Sequence, residues 1–153
     1  PENLHISSSW CYGNAGVMRG LQKVAGYMGW KEKEQAHVET MIRFFSQNIK
    51  TYDLYSPSLC HGFSSLVAIQ MCAYSSYRNP KLLTNLERHI QKMIAGYRKN
   101  NENELNLTDI RNKSILIEGH LKDLSILTGS VGIAITLLSL KRKTKTGKLL
   151  MID

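Results

Sequence analysis

Residues Ser9-Trp10-Cys11-Tyr12-Gly13 and Leu59-Cys60-His61-Gly62 are two versions of one short pattern. Superimposed on their final glycines, Cys11 falls on Cys60, Tyr12 on His61 and Gly13 on Gly62, an offset of 49 residues. Each segment closes a loop and leads into a run of small and apolar residues with helical spacing. Two cysteines and a histidine are therefore expected at the same end of two equivalent helices. A third start, Thr128-Gly129-Ser130-Val131-Gly132-Ile133, shares the Gly-x-x-Gly of Gly13 and Gly16, whereas the second copy carries Ser65 at that place. Small residues at this spacing let helix starts pack closely.

Outward from these starts, the chain alternates between two kinds of helix. Residues 14–28 place Ala15, Gly16, Val17, Leu21, Val24 and Ala25 around much of one helix, which predicts burial on most sides. Gly29 is the expected stop. Residues 31–49 carry Val38, Met41, Ile42, Phe45 and Ile49 on one stripe opposite Glu34, Gln35 and Glu39, so this helix has one wet face.

The order then recurs. A loop over residues 52–59 surrounds Ser56-Pro57-Ser58, and residues 63–77 form a second buried helix with Leu66, Val67, Ile69, Met71 and Ala73. Asn79-Pro80 is a helix-start signal for residues 81–98, whose stripe is Leu82, Leu83, Leu86, Ile90, Met93, Ile94 and Tyr97. Residues 100–104 read as a polar loop, and residues 115–117 fit either a strand or a packed helix. A third buried helix runs from Gly129 to about Leu140, and no third outer helix is legible before Asp153.

The fold class is therefore all-α, with inner and outer helices in about two and a half hairpins. Repeated helix pairs build solenoids or closed α/α toroids, in which each unit buries its faces only against its neighbours. Two and a half units predict an arc of a larger ring or a partner-dependent fragment, with a complete small bundle as the alternative.

Composition narrows the function classes. The 153 residues suffice for one domain with a real core, read here as a single segment over residues 1–153. The apolar run at residues 131–140 is too short to span a bilayer, and no signal peptide opens the chain. The first residue is proline, which suggests processing or a piece of something longer. Three cysteines without a secretion signal point to reduced thiols in the cytoplasm rather than a disulfide framework. The net charge of +8 includes the run Lys141-Arg142-Lys143-Thr144-Lys145. Such a run attracts nucleic acid, a membrane surface or an acidic peptide, but no aromatics are interleaved for base stacking, and a solvated basic tail is the plainer reading. Neither a phosphate-binding P-loop nor a G-x-S-x-G elbow is present.

Cys11, Cys60 and His61 form the one set with metal chemistry. Zinc takes thiolate and imidazole, and three protein ligands with an open fourth position mark a catalytic site. Packed helices lie about 8–10 Å apart, so ligands at adjoining helix ends can converge on one ion. By spacing alone, zinc and a pair of buried thiols both remain open. Cys72 lies mid-helix in an apolar run and reads as a core thiol, while His37 and His89 on the outer helices read as solvated. His5 and His120 are candidates for a fourth ligand or a proton shuttle. Tyr12 either lends its hydroxyl to a pocket or packs at the helix mouth.

These motifs, in this order and with Leu149–Asp153 at the end, resemble the C-terminal part of lanthionine synthetase C-like (LanC-like) proteins over essentially the whole chain. The resemblance implies an α/α toroid of inner and outer helices. It implies Zn²⁺ held by Cys11, Cys60 and His61, with Tyr12 near the metal as a tentative catalytic group. Lantibiotic cyclases of this kind add a peptide cysteine to dehydroalanine or dehydrobutyrine, forming lanthionine or methyllanthionine rings. The implied partners are a dehydrated precursor peptide, a dehydratase and an export transporter, with membrane association only through such a complex. An arginine often found four residues before the first cysteine is Ser7 in this chain. The family's histidine and aspartate for proton handling lie upstream of the matching part and are assigned to no residue. The alternatives are a LanC-like protein that holds zinc and a thiol such as glutathione outside lantibiotic synthesis, and a zinc that merely pins two hairpins.

Overall fold

Helices α1 (Asn14–Tyr27), α2 (Lys31–Phe45), α3 (Phe63–Tyr77), α4 (Leu86–Lys99) and α5 (Ser130–Arg142) follow in order in a computed structural model that describes residues 8–99 and 124–142. Two single turns of 3₁₀-helix, Ile49–Tyr52 and Pro80–Leu83, precede α3 and α4, and no strand occurs among the described residues. Helix α1 packs on α2, and α3 on α4. The inner helices also touch in sequence order, α1 against α3 and α3 against α5. These are the two inner–outer hairpins and the third inner helix expected from the repeat.

The turn between α1 and α2 shows why the first hairpin is tight. Gly29 adopts φ +70°, the left-handed conformation that glycine tolerates without a Cβ penalty. The Gly29 N–H donates to the Gly26 carbonyl at 3.1 Å and the Trp30 N–H to the Ala25 carbonyl at 2.9 Å. This pair of bonds satisfies carbonyls that a helix end otherwise leaves open. The second hairpin uses different chemistry. Asn79 caps the Pro80–Leu83 turn by accepting from the Lys81 N–H at 3.0 Å, with proline at the first position as expected.

Both outer helices are shorter than their stripes suggest. Helix α2 stops at Phe45, where the Ser46 hydroxyl bonds the Ile42 carbonyl at 2.8 Å and Asn48 caps the next 3₁₀ turn instead. Short polar side chains offer the backbone partners that compete with helix continuation. The expected helix over residues 81–98 is split at Asn85, which takes φ +61°. Its side-chain amide donates to the Phe45 and Gln47 carbonyls at 2.9 and 3.1 Å, tying the start of α4 to the end of α2.

The core lies around α3. Met41, Phe44, Phe45, Tyr52, Leu59, Leu66, Ile69, Leu82 and Met93 form one buried cluster drawn from both hairpins. Two expectations are corrected there. His89, read as solvated, is fully buried among Phe45, Tyr52 and Phe63. It sits one turn from Met93 and Leu86 on the apolar stripe, and Gln70 of α3 meets its Nδ1 at 2.6 Å. The Gln70 amide in turn donates to the Leu82 and Thr84 carbonyls, both at 2.9 Å. Burial holds His89 neutral, pushing its pKa down to about 4.

The second correction concerns α1, which is not buried on most sides. Ala15 and Ala25 are enclosed, but Val17, Leu21 and Val24 are about half exposed at 57, 49 and 54 %. The enclosed face is partly polar: Arg19 and Gln22 are buried. Arg19 donates to Gln22 and to Ser76, while Gln22 donates to Glu34 and Tyr77, and Tyr77 donates to Glu34. This network satisfies the polar groups where α1, α2 and α3 meet. Desolvation, followed by the bond to Glu34, raises the Tyr77 pKa. No described element covers the opposite side of α1.

The residues of the 100–104 and 115–117 segments, Ser7, His5, His120, Lys143-Thr144-Lys145 and Leu149–Asp153 lie outside the described residues, as does the side chain of Tyr97. No described helix is long and apolar enough to cross a membrane.

Candidate metal centre

Gly13 and Gly62 are the N-caps of α1 and α3, and both have extended backbone, at φ −115° and −127°. Neither start has a side-chain cap, and neither first turn carries an acidic residue. The open N–H groups of a helix start must then find other partners. At α3, the Phe63 N–H donates to the Ser56 carbonyl at 2.9 Å and the Ser64 N–H to the Pro57 carbonyl at 3.4 Å. The Ser64 hydroxyl also donates to the Pro57 carbonyl, at 2.5 Å. A Cβ on Gly62 would overlap the Ser56 carbonyl. The Ser56-Pro57-Ser58 loop is thus folded against the helix mouth, and Cys60 and His61 occupy the turn that returns from it.

At α1 the same close approach occurs three residues later. A Cβ on Gly16 would overlap the Trp10 carbonyl oxygen, and the Gly16 N–H points to the Ser9 carbonyl at 3.4 Å. In α5, Gly132 stands in the same relation to the Ile126 carbonyl. The glycine spacing noticed in the sequence therefore admits each helix's own preceding loop, more than a neighbouring helix. The loop so held at α1 carries Cys11. Ser9, fully buried behind it, has its hydroxyl 3.9 Å from Cys11 Sγ.

These two helix mouths bring Cys11, Cys60 and His61 together. One ligand atom from each lies within 4.8 Å of the others. Cys11 is exposed, and Cys60 and His61 are half-buried, so the group opens to solvent on the Cys11 side. A tetrahedral ion with bonds of about 2.3 Å to sulfur needs such atoms about 3.8 Å apart, a modest contraction from what is seen. The donor chemistry also fits. Two thiols and an imidazole, with no carboxylate in the group, suit a borderline or soft cation and not calcium or magnesium. The His61 Nε2 atom is buried and makes no hydrogen bond, while its ring stacks on Tyr12 at a centroid distance of 6.4 Å and 25° between planes.

The other sequence candidates are elsewhere. Cys72 packs against the core from α3, His89 is locked inside the second hairpin, and neither joins the group. His37 is half-buried on α2. One contribution was not foreseen: the Cys60 N–H donates to the Leu127 carbonyl at 2.8 Å, so the third repeat reaches the site. The Gly129-x-x-Gly132 echo is the sequence signal that could have raised that expectation.

An arc of inner and outer helix hairpins, with a thiol–thiol–imidazole group at the mouths of adjacent inner helices, is the architecture of an α/α toroid segment. A family model described as lanthionine synthetase C-like protein matches residues 2–151, and the chain belongs to that family. No curated protein and no solved structure matches it.

Proposed function

We propose that this chain is the zinc-bearing segment of a lanthionine-forming cyclase. The single observation that carries the reading is the convergence of Cys11, Cys60 and His61 within 4.8 Å, from segments 49 residues apart. In this proposal those three side chains hold Zn²⁺, and a peptide cysteine approaches from the solvent-open side beside Cys11. A bound zinc ion would stabilise the incoming sulfur as thiolate. The net reaction adds that S–H across the double bond of dehydroalanine or dehydrobutyrine. Sulfur bonds to the β-carbon, and a proton is delivered to the α-carbon.

The chain's own residues have distinct tasks in this scheme. Ser9 backs Cys11, and the extended caps at Gly13 and Gly62 aim the two ligand turns at one point. Tyr12, stacked on His61 and 55 % exposed, is the proposed carrier of the proton. The dehydrated precursor peptide is the proposed substrate, with a dehydratase and an export transporter as proposed neighbours in a cytoplasmic complex. Only an arc of helices surrounds the site in the described residues, so this chain by itself is expected to hold zinc weakly and not to cyclise peptide unaided.

Metal content of the purified chain tests the reading. Equilibrated with a saturating buffered zinc concentration, wild type and Cys72→Ala are expected to take up close to one zinc per chain, and Cys60→Ala far less. Equal zinc in wild type and Cys60→Ala would remove the metal centre and the cyclase with it. The exposure of Cys11 also favours a second reading, in which a small thiol such as glutathione is held there. Competition between glutathione and a dehydrated cysteine peptide for the zinc-loaded chain separates the two.

A further inference from the structure

We propose that Leu127 and Gly132, in the third repeat, are positioning residues for Cys60; this rests on the metal reading above. Cys60 stands in the second repeat, yet its backbone N–H is held by the Leu127 carbonyl at 2.8 Å. The residue before it, Leu59, is fully buried. A Cβ on Gly132 would stand 2.9 Å from the Leu59 Cβ and would overlap the Ile126 carbonyl oxygen. The Ile126-Leu127 backbone is therefore wedged between α5 and the Cys60 turn, with glycine where a Cβ would meet both.

The wedge is braced from its other end. The Gly129 N–H donates to the Ser125 carbonyl at 3.1 Å, and the Thr128 N–H to the Ser125 hydroxyl at 3.2 Å. Ile133, adjacent to Gly132, anchors α5 in the core. The two cysteines are thus held differently. Cys11 is backed by Ser9 of its own segment, whereas the Cys60 amide bonds a loop more than sixty residues downstream. Metal affinity is sensitive to tenths of an ångström in ligand placement, and loss of a supporting contact outside the ligand set typically costs about 10- to 100-fold in affinity. Any displacement of the 126–127 backbone passes directly to the Cys60 amide.

The test compares the full chain as wild type, Gly132→Ala and Ile133→Ala. Cobalt(II) affinity is read from the thiolate charge-transfer absorption, and amide hydrogen exchange at Cys60 is read in the metal-free protein. Gly132→Ala is expected to weaken cobalt binding by about 10- to 100-fold and to accelerate exchange at Cys60. Ile133→Ala should melt earlier through lost core volume while keeping cobalt affinity close to wild type. Equal cobalt affinity in Gly132→Ala and wild type would overturn the positioning role alone. So would an equal loss in Ile133→Ala, because the effect would then be general loosening. If Gly132→Ala does not fold, the wild-type exchange rate decides: a Cys60 amide that exchanges as fast as open coil overturns the role. A wild-type chain that takes up no cobalt overturns the metal reading and the role together, a different signature from either of these.

Discussion

Helices α1 and α3 begin alike and end up in different surroundings. Both are capped by an extended glycine and both deliver cysteine to the same group. Helix α3 is enclosed for most of its length, with Leu66, Val67, Ala68, Ile69 and Ala73 all buried. Helix α1 encloses one side only, with Ala15, Arg19, Gln22 and Ala25, leaving Val17, Leu21 and Val24 open. The middle inner helix has α1 and α5 as neighbours and α4 behind it, whereas α1 has α3 and α2. The helix with inner neighbours on both sides is also the one without a charged residue, so position in the arc and composition act together in removing α3 from water. At the site, the α3 turn is held both by its own Ser56-Pro57 loop and by the Leu127 carbonyl of another repeat.

Substitutions on the two helices should separate them sharply. Leu66→Ala in α3 removes a side chain with no exposure from a packed core and should destabilise by about 2–5 kcal/mol in denaturant unfolding. A loss below about 1 kcal/mol would mean that α3 is not the centre of the core. The matched change in α1, Leu21→Ala, should cost no more than about 0.5 kcal/mol, since Leu21 is already 49 % exposed. A cost as large as that at Leu66 would show that this face of α1 is covered in solution.

Between these extremes stands a pH effect confined to the second hairpin. His89 has a pKa near 4 in the folded chain, against an ordinary value of 6.5. As pH falls, the unfolded chain binds this proton first and the folded chain only near pH 4, so stability declines across that window. It is flat with respect to His89 above and below it. The gap between these values corresponds to roughly 3 kcal/mol when complete. The decline should be reduced in His89→Gln, measured as the change in unfolding free energy between pH 7 and pH 4. The same slope in wild type and His89→Gln would place the linkage on other groups.

Much of this architecture was legible in the residues. The 49-residue echo located the inner helix starts, and α3 spans the residues its apolar run marks out. Cys11, Cys60 and His61 could be singled out because a repeated motif at equivalent helix ends implies proximity whatever lies between. The breaks at Phe45 and Asn85 were less visible. They depend on Asn85 finding the Phe45 and Gln47 carbonyls, a contact between residues about forty positions apart. His89 was misread for a related reason. Its place on the stripe was plain, but the Gln70 partner that makes an interior imidazole tolerable comes from another helix.

The sequence by itself determined the all-α repeat, the glycine-led helix mouths and the placing of Cys11, Cys60 and His61 at equivalent helix starts. Those follow from local periodicity and from which residues the backbone needs at a tight helix start. Only the tertiary structure decided that Arg19 is inside and Val17 outside, that His89 is a core residue, and that Cys60 hangs from Leu127. Burial and hydrogen-bond satisfaction depend on which neighbour closes over each face, and one helix's own pattern does not contain that neighbour.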